Sequence, residues 1–134
     1  MTFMESTHTS VDTVYHQVTT RVATLDGPRL VEELRILLGA RLVAYLAGAS
    51  STSTVTGYIT GAVTIGDDAR ARLHAAYTVA ALQHRLGATP ALIQAWFQGR
   101  NPHLNDHAPA RVIAADPSSV GHTFISAAVA LVRE

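Results

Sequence analysis

The spacing of glycine and proline constrains this chain more than any other feature. Asp26-Gly27-Pro28, Gly39, Gly48, Gly61, Gly87, Thr89-Pro90, Gly99, Asn101-Pro102, Ala108-Pro109 and Asp116-Pro117 cut it into short segments, most with apolar residues at helical spacing. Glycine takes up the left-handed conformation that ends a helix, while proline cannot continue a helix but can open one. Val11, Val14, Tyr15, Val18, Val22 and Leu25 predict an amphipathic helix over 11–25. Leu30, Leu34, Leu37 and Leu38 predict a second that ends near Gly39, and Leu42, Val43 and Leu46 a third that ends near Gly48. The Ser/Thr run 50–54 can cap a two-turn helix at 53–60, with Val55, Tyr58 and Ile59 on one face and Gly61 at its end. Asp67-Asp68 is expected to cap the longest helix, whose apolar face runs from Leu73 to Leu82. Thr89-Pro90 opens a helix from Ala91 to Phe97, a proline-bounded loop follows, and 109–115 is a short helix. Asp116-Pro117 starts another element, and Phe124 to Val132 forms the last helix. No stretch alternates with period two for long, so the expected fold class is all-α.

A chain of 134 residues is long enough to bury one self-sufficient core. With no cysteine, disulfides, zinc–thiolate sites and cysteine nucleophiles are excluded. Glu32, Glu33, Arg35 and Arg41 interrupt the apolar run from Leu30 to Leu46 short of the ~18 residues a membrane span needs. Met1 to Ser10 shows no basic region followed by an apolar one, so no signal peptide and a cytoplasmic location are expected. Net charge is zero and every basic side chain is arginine, but the halves differ. Residues 1–68 hold four Arg against seven acids, whereas 69–134 hold six against three. A nucleic-acid domain usually presents a basic face, and the first half does not supply one.

Two constellations carry the functional reading. In the first, Ala44, Gly48, Val55 and Ile59 meet the needs of a helix-turn-helix: a small residue where the second helix packs close, a turn glycine, and apolar residues facing back. Its DNA-facing candidates are Arg41, Ser51, Thr52, Ser53, Thr54, Thr56 and Tyr58. Hydroxyls bond phosphates or base edges, but the second helix has no Arg, Lys, Asn or Gln for bidentate base readout, so weak and salt-sensitive binding is expected. Gly57 lowers its helix propensity further.

The second constellation runs from Ala95 to Pro109 and includes the single tryptophan, Trp96, at a helix end. Trp96 reads first as a core anchor, and Arg100, Asn101 and Asp106 as surface or loop-fixing groups. His103 and His107 lie four apart, but in a loop and with no third ligand, so neither a metal nor a cofactor is expected. No nucleophile–base or paired-carboxylate arrangement has a geometric rationale, so no enzymatic activity is expected.

These residues resemble the Xre/MbcA/ParS-type antitoxins. Their toxin-binding domain has a Trp, then Asn-Pro-x-Leu, then a Pro opening a short helix, then a final amphipathic helix. Here the matching residues are Trp96, Asn101-Pro102-His103-Leu104, Ala108-Pro109, Val112-Ile113 and Phe124 to Val132. An Xre-like helix-turn-helix precedes that domain in the family, matching Leu38 to Gly61, followed by a helix matching Arg70 to Tyr77. The resemblance covers residues 29–134 and implies an N-terminal extension at 1–28, an Xre-like region at 29–87 and a toxin-binding region at 88–134. It implies a type II antitoxin that neutralises a RES-domain, NAD-degrading toxin by occluding its active site. Trp96, Arg100, Asn101, Pro102, Arg133 and Glu134 are the toxin-binding candidates, with Arg133-Glu134 placed to reach into the toxin's cleft. Operator DNA, a homodimer or a larger toxin–antitoxin complex are the other implied associations.

The chain departs from the family at Thr56-Gly57-Tyr58, where relatives carry a basic recognition helix, and at Asn105-Asp106, where many carry a Gly pair. A dimeric helix-turn-helix regulator without a toxin is the competing reading, with Arg70, Arg72 and Arg85 as phosphate contacts. An assembly protein on the same scaffold is a third. The helix at 11–25 lies outside the resemblance, and as an amphipathic helix beyond the core it is a candidate for pairing two subunits.

Overall fold

The computed structural model describes the backbone of residues 2–133 and the side chains of residues 11–133. Among these the protein is all-helical: α1 (Thr2–Thr24), α2 (Gly27–Leu38), α3 (Ala40–Ala47), α4 (Thr52–Thr60), α5 (Asp67–Arg85), α6 (Pro90–Gln98), α7 (Pro109–Ala115) and α8 (His122–Arg133). Two 3-10 turns, Pro102–Leu104 and Pro117–Ser119, complete the described chain. No helix among the described residues is long and apolar enough to cross a membrane.

Local chemistry explains most of the boundaries. The Asp26 carboxylate accepts from the Arg29 amide at 2.9 Å and starts α2, and the Thr89 hydroxyl does the same for α6 through Leu92 at 3.2 Å. Gly48 and Gly61, at φ 74° and 84°, end α3 and α4 in the left-handed conformation. Three expectations shift. Helix α1 begins at Thr2, nine residues before the predicted start. Asp67 and Asp68 sit in the first turn of α5, where they complement its dipole, while Gly66 occupies the cap position. Ser51 caps α4 by backbone conformation alone, because its Oγ lies 2.6 Å from the Ser53 Oγ.

Helix α5 is the hub, packing against α1, α2, α3, α6, α7 and α8. All eight residues from Ala76 to Gln83 are buried. A helix enclosed on every side needs side chains that let neighbours approach all round, and the alanines of this stretch supply that. Gln83, 0% exposed, donates from Nε2 to the Ala128 carbonyl at 3.2 Å and ties α8 to the hub.

The hydrophobic cluster is continuous from Val18 of α1 to Ala128 of α8. Helix α1, expected outside the core, contributes to it through Val18 and Val22, 1% and 3% exposed. Burying a valine stabilises by about 1.5–3 kcal/mol, enough to hold the C-terminal half of α1 on α5.

Candidate functional site

Helices α3 and α4 meet through Gly48 to Ser51, and the meeting is fixed from a third element. Arg72 of α5 donates from Nε to the Leu46 carbonyl at 2.6 Å and from an Nη to the Ala47 carbonyl at 3.0 Å. A guanidinium there satisfies carbonyls the helix end leaves unpaired and complements the negative end of the dipole. The same guanidinium would lie 3.2 Å from a β-carbon at Gly48. Arg72 therefore braces the corner from within and is not a phosphate contact in waiting.

On α4, Val55 and Tyr58 are buried while Ser51, Thr52, Ser53 and Thr56 face solvent and Thr54 is half-buried. Tyr58 was expected among the DNA-facing residues; at 7% exposed it belongs to the core, since it lies on the same helical face as Val55. Arg41 on α3 is exposed. Gly57 has a structural reason: the Val63 amide returns to the Gly57 carbonyl at 3.0 Å, and a β-carbon at Gly57 would sit 2.6 Å from Val63 Cγ2. The exposed face of α4 thus offers hydroxyls and methyls but no charge.

The Trp96–Pro109 segment is built differently. Trp96 is half-buried, edge-on to Phe97 and to Phe124 of α8 with ring centres 5.3 Å and 5.9 Å away. Asn101, expected on the toxin-binding surface, is 7% exposed, and its Oδ1 accepts the His103 amide at 3.0 Å. Its carbonyl accepts from Leu104 and Asp106, each at 2.9 Å, and a single antiparallel bridge pairs Asn101 with His107. Its role is to close the loop, which leaves Arg100, Pro102, His103 and His107 on the outside.

Asn105 and Asp106 are both left-handed, at φ 58° and 63°. Asparagine and aspartate tolerate that region better than other non-glycine residues. The loop therefore adopts at Asn105-Asp106 a conformation that a Gly pair would also allow.

Helix α8 separates the remaining candidates. Phe124, near its start, packs on Trp96, whereas Arg133 lies nine residues further along, about 13 Å at the rise of an α-helix. Trp96 thus sits at the start of α8 and exposed Arg133 stands at its other end. Glu134 lies outside the described residues.

A polar group that sequence reasoning passed over joins α1, α2 and α5. Glu33 accepts from Arg21 and, at 2.7 Å, from the Tyr77 hydroxyl, beside a cleft of about 350 Å³ also lined by Ile36, His84 and Arg85. Partial burial pushes the Glu33 carboxyl up, but the hydrogen bonds from Arg21 and Tyr77 outweigh it and hold it below the usual carboxylate range. Burial and the adjacent Glu33 push the Tyr77 phenol above its ordinary value. A carboxylate held ionised by two donors is an anchor, not a free acid or base. Among the described residues no group of three or more His, Asp or Glu side chains is placed to hold a metal ion.

Comparisons with protein-family models, with curated proteins and with solved structures return no match.

Proposed function

We propose that this protein is the antitoxin of a type II toxin–antitoxin module and neutralises a RES-domain, NAD-degrading toxin by covering the entrance to its active site. The observation that carries the reading is the Trp96–Pro109 segment. Its residues follow the order of the antitoxin motif, and although Asn105-Asp106 departs from the Gly pair that many members of that family carry, both residues are left-handed, as glycines there could be. Occlusion requires no chemistry from the antitoxin. It requires a firm surface with groups that can enter a cleft built for a charged dinucleotide, and preorganisation lowers the cost of docking such a surface. Arg100 and Pro102 on the closed loop, and Arg133 with Glu134 beyond α8, are the groups assigned to that contact. Trp96 and Asn101 act one step back, as the anchor and the latch of the loop.

DNA binding through α3 and α4 is assigned a minor part. With Tyr58 buried and Arg72 engaged on α3, exposed hydroxyls and Arg41 are what this region offers a phosphate backbone. A regulator acting without a toxin would rest on those groups alone.

The test is NAD consumption by a RES-domain toxin encoded beside this protein, with and without a molar excess of it. Full suppression is expected, together with a sharp loss of suppression when residues 133–134 are deleted, a cut that keeps Leu131 and Val132, which pack against the core, and removes exposed Arg133, so that melting changes little. A toxin equally active in the presence of the intact chain would end the antitoxin reading. A truncated chain that still inhibits fully would move the contact from the end of α8 to Arg100 and Pro102.

A further inference from the structure

Two hollows border α1, and they differ in charge. The larger, about 790 Å³ between α1 and α8, has Asp12 on one wall and His122 and Arg133 on the other, so acid faces base across it. The smaller is the cleft of about 350 Å³ over the Glu33 anchor, to which three helices contribute. Tyr77, Ala81, His84 and Arg85 form one stripe along α5, Glu33 and Ile36 stand one turn apart on α2, and Arg21 comes from α1. Charge does not cancel here. Both Glu33 oxygens are engaged, Oε2 by Arg21 and Oε1 by the Tyr77 hydroxyl at 2.7 Å, which leaves the carboxylate little to offer a cation. Arg85 differs. One of its Nη groups donates to the Gln17 amide oxygen at 2.7 Å, a neutral partner that holds the guanidinium in place while leaving its charge and most of its donors unspent. Among the described residues no acid pairs with it. With Arg21 and Glu33 matched, the cleft therefore keeps one uncompensated positive charge, at Arg85. Beside that charge lies apolar surface. Ile36 is 68% exposed, more than any other large apolar side chain among the described residues, and Leu37 and Ala81 line the cleft with it.

We infer that this cleft binds a small amphiphilic carboxylate, a monoanion with an aliphatic body, of which a short fatty acid is the simplest case. The carboxylate pairs with the Arg85 guanidinium, whose planar fork matches two carboxylate oxygens, and the body covers Ile36, Leu37 and Ala81. Charge and surface together select this class. A single negative charge answers the single unpaired cation, whereas a phosphate monoester, at about −1.5 to −2, exceeds it. A nucleic-acid backbone answers Arg85 but leaves Ile36 in water, and a neutral apolar molecule does the reverse. The volume lies at the lower end of the range for small-molecule sites. Gln17 holds Arg85 before the ligand arrives, which removes part of the cost of ordering a long side chain. This inference does not depend on the antitoxin reading.

Titration of the isotope-labelled full chain with hexanoate, followed by the NMR shifts of its backbone amides, tests the proposal. The shifts are expected to saturate with a dissociation constant on the order of 1 mM, and to be confined to residues around Glu33–Leu37 and Tyr77–Arg85. Hexanol, which has the body without the charge, and acetate, which has the charge without the body, are each expected to bind about tenfold more weakly or worse. Arg85→Gln is expected to weaken hexanoate about tenfold and Ile36→Ser roughly fivefold. Both positions are exposed, so folding is not at stake, and melts of the two variants are expected to match the wild type. A response that does not saturate, shifts scattered over the whole surface, or equal affinity for hexanol overturns the proposal, as does an affinity that neither substitution changes. Because both substitutions leave the Trp96–Pro109 loop and the end of α8 untouched, toxin inhibition measured on the same variants reports separately on the antitoxin reading.

Discussion

The α3–α4 corner and the Trp96–Pro109 loop both join helices through left-handed residues, yet they dispose of their polar groups in opposite ways. At the corner, the strongest donor in reach, Arg72, turns inward to the carbonyls of Leu46 and Ala47, and the exposed face of α4 keeps only hydroxyls and methyls. In the loop, a neutral amide, Asn101, turns inward, and Arg100, His103 and His107 stay outside. Each site needed one inward-turned polar group, part-buried Arg72 or buried Asn101, to satisfy backbone atoms that the fold had stranded, and the identity of that group decided how much charge was left for a partner. An arginine count taken along the chain therefore overstates the charge at the corner and represents the loop fairly.

Five substitutions, at four positions, can break or sharpen this contrast. Val55→Asp has the largest expected effect. Val55 is 0% exposed beneath the corner, and an unpaired carboxylate there should cost about 4 kcal/mol or more, a large share of a domain's whole stability. A circular-dichroism melt that matches the wild type would show that α4 is not held by its apolar face.

Arg72→Met comes next. It keeps the aliphatic stem but removes two charge-assisted hydrogen bonds, so about 2 kcal/mol should be lost in chemical denaturation. Arg41→Met, at an exposed site on the same corner, should change stability by less than about 0.5 kcal/mol. Equal effects of the two would mean that Arg72 does not brace the corner and is available to phosphate after all.

A smaller loss than at Val55 or Arg72 is expected in the loop. Asn105→Val places a β-branched side chain at φ 58° and should destabilise by about 1–2 kcal/mol, while Asn105→Gly should be neutral within about 0.5 kcal/mol. The two variants differ little in polarity at an exposed position, so the gap between their denaturation midpoints isolates backbone strain. No gap would mean that the left-handed geometry is not required. Weaker toxin inhibition by Asn105→Val than by Asn105→Gly would tie loop shape to the proposed function.

Much of this was legible in the sequence. Gly/Pro punctuation located the helices because helix ends are decided by a few residues on each side, through caps and positive φ that Asp26, Thr89, Gly48 and Gly61 supply locally. The start of α1 was missed because Thr2 to Ser10 carries no sustained apolar period to mark a helix. Trp96 was legible as an anchor, since an aromatic of that size at a helix end rarely stays in water. The inward turn of Asn101 was not, because a short amide before proline reads equally well as a surface group and as a latch. The Glu33 anchor escaped notice for another reason: its partners, Arg21 and Tyr77, are 12 residues before it and 44 after it.

What the sequence determined by itself, then, was the all-helical class, the order of helices, the corner at Gly48 and the loop between Trp96 and Pro109, all of which depend on periodicity and on residues within a turn of one another. Tertiary structure alone decided that α5 is enclosed from Ala76 to Gln83, that Arg72 caps α3, that Tyr58 faces the core and that α1 and α8 leave a groove between them. Each of those outcomes depends on which surfaces meet across 25 residues or more, where pattern along the chain is silent and the packing of whole helices sets which polar groups are spent inside and which remain for a partner.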